Sequence, residues 1–145
     1  MTSHIAARQV IEPHDTETIV SSWVTAKVLA SPAVSGAEKM SAVSLYFNPG
    51  QGHARHNHPL SEQFICVIGG EGEMMIEDDA GRPVKTAIGP GSLVTIPRGA
   101  FHSTFNTGWE PLRILAVYSP AGPEEAMRTS DEFLVLAPGV VPTRL

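Results

Sequence analysis

The sequence predicts an all-β protein, a sandwich or closed barrel that folds as one domain. Strand-like segments recur roughly every eight to twelve residues, and turn residues separate them. Glycine and proline are frequent, at 13 and 12 of 145 residues, and both favour turns. This length is enough to bury a core, and no internal repeat or low-complexity segment is visible. We therefore take residues 1–145 as a single domain, with an N-terminal arm at residues 1–20.

The first third of the chain is expected to contain the arm, three strands and a loop. A short strand is expected around Ala7–Ile11, and another at Trp23–Leu29, where β-branched and aromatic residues are concentrated. Proline, glycine and serine mark residues 31–39 as a loop. Alternating apolar residues predict a strand at Ser41–Phe47, which ends at the turn signal Asn48-Pro49-Gly50.

The second half is a series of short strands with one helix. Strands are expected at Gln63–Ile68, Glu73–Glu77, Val84–Ile88, Leu93–Ile96, His102–Asn106, Leu112–Tyr118 and Phe133–Leu136. Residues 78–83 have the composition of a hairpin turn. The short C-terminal helix is expected at Pro123–Arg128, because proline stands at its start and two glutamates follow in its first turn.

Composition excludes several classes of function. The net charge of −5 argues against nucleic acid and anionic membranes as partners. The one cysteine, Cys66, cannot form an internal disulfide, so nothing indicates a secreted, disulfide-stabilised protein. The first residues lack the apolar run of a signal peptide, and no segment approaches the length of a membrane span. We therefore expect a cytoplasmic protein.

Residues that bind metals cluster in one short segment. His56 and His58 are two residues apart, and in a strand such residues face the same side. Glu62 follows after a short turn and can supply a carboxylate oxygen from the next strand. His102 lies far along the chain and can join them only in a closed or sandwiched sheet. Together these four residues predict a mixed nitrogen and oxygen site for a divalent transition metal.

The two segments that carry these residues resemble the motifs of the cupin superfamily. The first motif, G-x5-H-x-H-x3,4-E-x6-G, is met by Gly50, His56, His58, Glu62 and Gly69. The second motif, G-x5-P-x-G-x2-H-x3-N, is met by Gly91, Pro97, Gly99, His102 and Asn106. The resemblance implies a jelly-roll barrel, a double-stranded β-helix, with the metal inside. It does not imply a reaction, because this fold hosts oxygenases, decarboxylases, isomerases, cyclases and proteins without chemistry.

Strand alternation extends the predicted site beyond the ligands. If the ligands face inward, the following side chains should line the cavity: Phe64, Cys66, Met74, Ile76, Thr104 and Ile114. Gln63, Ile65 and Ser103 should then point away from the metal. This set predicts a modest apolar pocket, or in the plainer interpretation an ordinary barrel core. Tyr118 and His53 are candidates for proton transfer, although a histidine in a glycine-rich loop is more often simply solvated.

The expected function is that of a metal-dependent enzyme acting on a small molecule. With six-coordinate geometry, two positions stay open for substrate, water or oxygen, as in catalytic sites. The metal would be Fe, Mn, Ni or Zn, among which these ligands do not discriminate. The leading hypothesis is a dioxygenase for a small apolar, aromatic or enolisable substrate. The alternatives are a non-redox decarboxylase, isomerase or cyclase, and a ligand-binding or sensor protein without turnover.

The arm and the sheet edges predict a homodimer. A strand at Trp23–Leu29 would leave an edge to cover, and two-fold pairing is the commonest oligomer symmetry. Small cupins are often dimers, so the resemblance implies the same assembly. We expect the arm to pack on the partner or on its own barrel, because it contains five isoleucine and valine residues: Ile5, Val10, Ile11, Ile19 and Val20. The alternative is a monomer whose arm covers its own edge.

Overall fold

Two antiparallel sheets form the jelly-roll barrel that the sequence predicts. The structure is a computed structural model that describes residues 9–143. Within these residues the larger sheet has seven strands, in the spatial order β11 (Leu134–Leu136), β1 (Thr18–Val20), β2 (Thr25–Ala30), β3 (Ser41–Phe47), β10 (Leu112–Ser119), β5 (Glu62–Gly69) and β8 (Leu93–Ile96). The smaller sheet has four, in the order β4 (Gly52–His56), β9 (His102–Asn106), β6 (Gly72–Glu77) and β7 (Pro83–Ile88).

The core lies between the sheets because apolar residues alternate along their strands. In β3, Val43 and Phe47 are buried, whereas Tyr46 between them is 36% exposed. Met74 from β6 belongs to the same cluster, so side chains of both sheets meet there. Each large apolar side chain buried in this way stabilises the fold by roughly 1.5–3 kcal/mol.

Most strand and helix predictions are confirmed. The strands β3, β8 and β9 have the predicted bounds, and β6, β7, β10 and β11 differ by one residue at an end. The predicted C-terminal helix is α2 (Pro123–Thr129). Residues 31–39, expected as a loop, contain the four-residue helix α1 (Pro32–Ser35), which Ser31 caps by accepting a hydrogen bond from the Val34 amide. A short 3-10 helix spans Pro13–Asp15. No helix in the described residues has the length and hydropathy needed to cross a membrane.

The N-terminal region differs from the prediction. Of the strand expected at Ala7–Ile11, Ala7 and Arg8 lie outside the described residues, and residues 9–11 form no strand. Instead β1 pairs with both β2 and β11, and its Ile19 is buried in the barrel core. The strand expected at Trp23–Leu29 is therefore an interior strand of the sheet and not an edge.

The orientation of β5 is the opposite of the one expected. Ile65 is 2% exposed and Gln63 is 3% exposed, whereas Phe64 is 47% exposed. The pairing with β10 explains this orientation, because Gln63 lies opposite Tyr118, which belongs to the inner face. The prediction that Phe64 and Cys66 face the cavity assumed that Glu62 faces inward. Because a shift of one residue exchanges the two faces of a strand, both side chains lie on the outer face instead.

Candidate metal centre

Three histidines converge inside the barrel. His56 ends β4, His102 begins β9, and the two are cross-strand partners with ring centroids 4.2 Å apart. His58 lies in the turn after β4, and its ring is 4.9 Å from that of His56 and 5.2 Å from that of His102. One ligand nitrogen from each ring lies within 4.8 Å of the other two. The separation suits three nitrogens that share one ion.

Backbone carbonyls orient two of these rings. The Nδ1 of His56 lies 2.7 Å from the Ala54 carbonyl oxygen, and that of His102 lies 2.9 Å from the Ala100 oxygen. A carbonyl oxygen can only accept a hydrogen bond. Each Nδ1 therefore carries the ring proton, and each Nε2 keeps a free lone pair. This is the arrangement by which proteins prepare histidine for a metal.

A contact between the two motif segments positions His58. The Gly99 amide donates to the His58 carbonyl oxygen at 3.0 Å, and the Asn57 side-chain amide donates to the Gly99 carbonyl oxygen at 3.2 Å. Gly99 has a φ of +81°, a conformation that residues with a Cβ rarely adopt. The turn before β9 therefore holds the loop after β4 close to His102.

Burial keeps these imidazoles neutral. Desolvation, and to a lesser extent His53 and His102, lower the pKa of His56 to about 2. Desolvation and then His102 lower the pKa of His58 to about 4. The pKa of His102 is also lowered, mainly by desolvation. At neutral pH all three rings are uncharged, which a metal ligand requires.

Glu62, the fourth ligand predicted from the sequence, is not brought into this group. It begins β5, is exposed, and lies on the same strand face as the outward Phe64. The next residue, Gln63, occupies the inner face instead, and its Oε1 is buried without a hydrogen-bond partner. Sequence reasoning missed Gln63, although the first motif permits either three or four residues before its acidic position.

The two proton-transfer candidates both contact the histidines. The Tyr118 ring lies 5.1 Å from the His58 ring, and burial raises the pKa of its hydroxyl well above the usual range. The His53 ring stacks on that of His56 at 3.5 Å and on that of Trp23 at 4.4 Å. Desolvation, followed by the charges of His102 and His58, lowers the pKa of His53 to about 4. His53 is thus part of the histidine cluster, and not the solvated loop residue of the plainer interpretation.

The remaining predicted pocket residues divide into two groups. Ile76 and Met74 face the interior, opposite His102 and Thr104 on β9, and the Thr104 hydroxyl donates to the Met74 sulfur at 2.9 Å. Ile114 is buried in the core on the inner face of β10.

The other two predicted pocket residues, Phe64 and Cys66, lie on the outer face of β5, where Cys66 pairs with the exposed Leu93. Ser103, expected to point away, is nevertheless buried. Side chains on both faces of β9 are therefore buried near Ser103.

The donor chemistry fits a divalent transition metal. The buried side-chain atoms without hydrogen-bond partners in the described chain include His58 Nε2, His102 Nε2 and Gln63 Oε1. Buried polar groups are normally satisfied. Nitrogen and oxygen lone pairs of this kind match the preferences of Mn, Fe, Ni and Zn.

Comparison with known proteins identifies the same architecture. A family model described as Cupin domain matches residues 44–118. Protein SchB of Streptomyces halstedii is 30% identical over 97 residues, which cover 67% of each chain. Germin-like protein 9-3 of Oryza sativa subsp. japonica is 26% identical over 90 residues, which cover 62% of this chain but only 42% of the plant protein.

One solved structure with this fold belongs to an enzyme with Mn(II) centres. Bacillus subtilis oxalate decarboxylase, in a structure described by its Mn(II) centres, superposes with a TM-score of 0.70 at 20% identity. The match covers 90% of this chain and 33% of the decarboxylase. The present chain is therefore much shorter than that enzyme, and the likeness concerns the fold.

Proposed function

The chain belongs to the cupin superfamily, and we propose that it is a metal-dependent enzyme that acts on a small molecule. One observation carries this proposal: three neutral imidazoles, one buried and two half-buried, converge with their ligand nitrogens within 4.8 Å of one another. A structural metal site would be closed by further protein ligands. Here the described residues place only three histidines in the group, which leaves positions for exogenous ligands.

His56, His58 and His102 would hold the ion. When bound, a divalent metal supplies positive charge that polarises a substrate oxygen and stabilises an enolate or related anion. Fe, Mn, Ni and Zn all accept imidazole ligands. The Mn(II) centres of the similarly folded oxalate decarboxylase make manganese one of the first ions to test.

The leading reaction class is dioxygenation of a small apolar, aromatic or enolisable compound. Met74 and Ile76 give the inner wall beside His102 an apolar character, which suits such a substrate. His53, stacked on His56 and neutral at pH 7, is our candidate proton acceptor.

Tyr118 favours a second candidate, non-redox chemistry such as decarboxylation or isomerisation. Its hydroxyl keeps its proton at neutral pH, and its ring lies 5.1 Å from that of His58, which makes Tyr118 our candidate proton donor to a carbanion or enolate. The structural likeness to a decarboxylase points in the same direction.

Metal dependence and oxygen consumption distinguish a dioxygenase from a non-redox enzyme. The protein is purified without added metal, its metal content is measured, and the stripped protein is reloaded with Fe(II), Mn(II), Ni(II) or Zn(II). Each form is then offered small aromatic, keto-acid and dicarboxylate compounds under air and under argon. A dioxygenase consumes oxygen and fails with Zn(II), whereas a Lewis-acid enzyme forms product under argon.

The His102→Ala variant should be inactive in either case. His14→Ala is the matched control, because His14 is an exposed histidine remote from the cluster in the sequence. Ligand binding without product under every condition would contradict the enzyme proposal and support a sensor. Failure to retain any of the four metals would contradict the metal centre itself.

A further inference from the structure

Three unsatisfied atoms in the barrel interior point to a ligand set that differs from the one the motifs imply. Five buried side-chain nitrogen or oxygen atoms in the described chain lack a hydrogen-bond partner. Two belong to threonines near the N-terminus, and the others are His58 Nε2, His102 Nε2 and Gln63 Oε1. An unpaired buried acceptor destabilises a fold unless something else pairs with it. We propose that Gln63, through Oε1, is the fourth metal ligand of this centre and that Glu62 is not a ligand.

The pairing of β5 places Gln63 on the inner face of the larger sheet, opposite a residue that contacts the histidines. Gln63 lies directly opposite Tyr118 on β10, so the two side chains share the inner face. The Tyr118 ring contacts the His58 ring at 5.1 Å between centroids. On its other side Gln63 pairs with Ile96, which leads into the turn that holds the His58 backbone through Gly99. In this proposal Gln63 approaches the centre from the larger sheet, whereas His56 and His102 lie on strands of the smaller sheet.

Among the described residues, no carboxylate joins the histidine group in place of Gln63. Glu62 is exposed on the outer face of β5. Glu77 is engaged by Arg55, whose Nε donates to Glu77 Oε1. The buried Glu124 accepts hydrogen bonds from the Ser41 hydroxyl and the Gly122 amide. None of these three belongs to the histidine group.

A neutral fourth ligand changes the charge of the loaded centre. Three imidazoles and one amide oxygen carry no charge, so a divalent ion keeps both positive charges inside a buried site. A carboxylate would cancel one of them. The centre should therefore bind the metal less tightly than a three-histidine, one-glutamate site. It should also favour exogenous ligands that bring a negative oxygen, such as a carboxylate or an enolate.

This inference rests on the proposed metal centre, and four variants test it. Gln63→Leu removes the amide oxygen at similar side-chain volume, and Gln63→Glu adds a negative charge. Glu62→Gln is the matched control on the neighbouring residue, and His102→Ala tests whether the histidine centre binds metal. Co(II) is titrated into each stripped protein, and its affinity and visible ligand-field spectrum are recorded. We expect Gln63→Leu to weaken Co(II) binding by roughly tenfold or more, and Gln63→Glu to strengthen it. Glu62→Gln should match the wild type in affinity and spectrum.

Thermal unfolding of the metal-free variants distinguishes the loss of a metal ligand from a general loss of stability. Because Gln63 Oε1 is unpaired without metal, Gln63→Leu should unfold at the same temperature as the wild type or higher. It should also show a smaller rise in that temperature when Co(II) is added. A structural role for Gln63 would instead lower the unfolding temperature of the metal-free variant.

Azide, a small monoanionic probe, tests the charge of the centre. Its affinity for the Co(II) form should fall roughly tenfold or more in Gln63→Glu, because the added carboxylate repels the anion. Equal azide affinity in the two proteins would contradict the neutral-ligand model.

The Co(II) titrations separate failure of the Gln63 assignment from failure of the metal centre. If Glu62→Gln weakens Co(II) binding and Gln63→Leu does not, the assignment of Gln63 is wrong while the metal centre stands. If His102→Ala binds Co(II) as the wild type does, the metal centre and the role of Gln63 fall together.

Discussion

At the scale of single residues, the candidate centre depends on where each imidazole holds its proton. The carbonyl oxygens of Ala54 and Ala100 fix the Nδ1 protons of His56 and His102, which leaves Nε2 as the free donor atom. Burial keeps the rings uncharged at neutral pH. The same residues that prepare the site for a metal therefore make the metal-free protein sensitive to acid.

Removing one histidine should empty the centre. We expect His102→Ala and His58→Ala to lose bound metal, because each removes one of few protein ligands. Loss of an orienting partner alone commonly weakens metal binding by ~10–100-fold, and loss of a ligand should weaken it more. Metal content by mass spectrometry after gel filtration measures this, with His14→Ala as the control. Stoichiometric metal in His102→Ala would exclude the centre described above.

Acid should destabilise the metal-free protein in a window set by the lowered pKa values. The folded-state pKa of His53 and of His58 is about 4, below the ordinary value of 6.5. Between these values the unfolded chain binds more protons than the folded one, so the free energy of unfolding falls as pH drops through 6.5 toward 4. Urea titrations of the stripped protein at pH 7.5 and pH 5 should show this loss.

The variant His53→Phe identifies the source of the pH effect. It keeps the aromatic stack on Trp23 and His56 but removes one titrating group, so the difference in stability between the two pH values should shrink. His14→Ala should retain the full difference. An unchanged difference in His53→Phe would show that His53 is not held neutral by the fold.

At the scale of elements, one buried amide joins several segments beside the second motif. The Asn106 side chain donates to the carbonyl oxygens of Phe47 at 2.9 Å and Glu110 at 2.8 Å, and accepts from the Gly108 amide at 2.8 Å. It thus links the end of β3 to the turn after β9. Asn106 of the second motif therefore serves the backbone of these segments.

Asn106→Ala should destabilise the fold without removing the metal. The substitution leaves the Phe47 carbonyl oxygen buried without its partner, which should lower the free energy of unfolding by about 1–3 kcal/mol. Chemical denaturation measures this loss, and metal content measures the centre. Asn48→Ala, at an exposed asparagine near the same strand end, should change stability by no more than about 0.5 kcal/mol. Equal stability of the two variants would contradict the linking role of Asn106.

At the scale of the whole molecule, the outer face of the larger sheet carries exposed apolar side chains. Phe64 is 47% exposed, Ile68 is 52% exposed and Leu93 is 61% exposed. They lie together on the paired strands β5 and β8. Contiguous exposed apolar surface marks protein interaction sites. This face, more than the N-terminal arm, supports the homodimer as a proposal, because β1 of the arm already pairs within its own barrel.

The expected assembly is a homodimer through this face. Light scattering at micromolar concentration should give a mass near twice the 15.5 kDa of one chain. Leu93→Glu should produce monomers, because it places a charge in the interface. The control Val84→Glu alters a residue with 52% exposure on the smaller sheet and should leave the dimer intact. A single wild-type species near 15.5 kDa would exclude the dimer.

The sequence alone was sufficient for the fold class, most strand positions and three histidine positions. Turn residues and alternating apolar residues are local signals, so β3, β8 and β9 could be delimited without tertiary information. Two widely separated motifs also indicated that His102 would join His56 and His58, and the structure places these three rings together.

Only the tertiary structure decided which face of β5 points inward. A strand has two faces, and its own sequence does not distinguish them when apolar residues occupy both, as Phe64 and Ile65 do. The choice is made by pairing with β10, which places Gln63 opposite the buried Tyr118 and turns Glu62 outward. The proposed fourth ligand therefore depends on a register between strands about 55 residues apart, which no local pattern encodes.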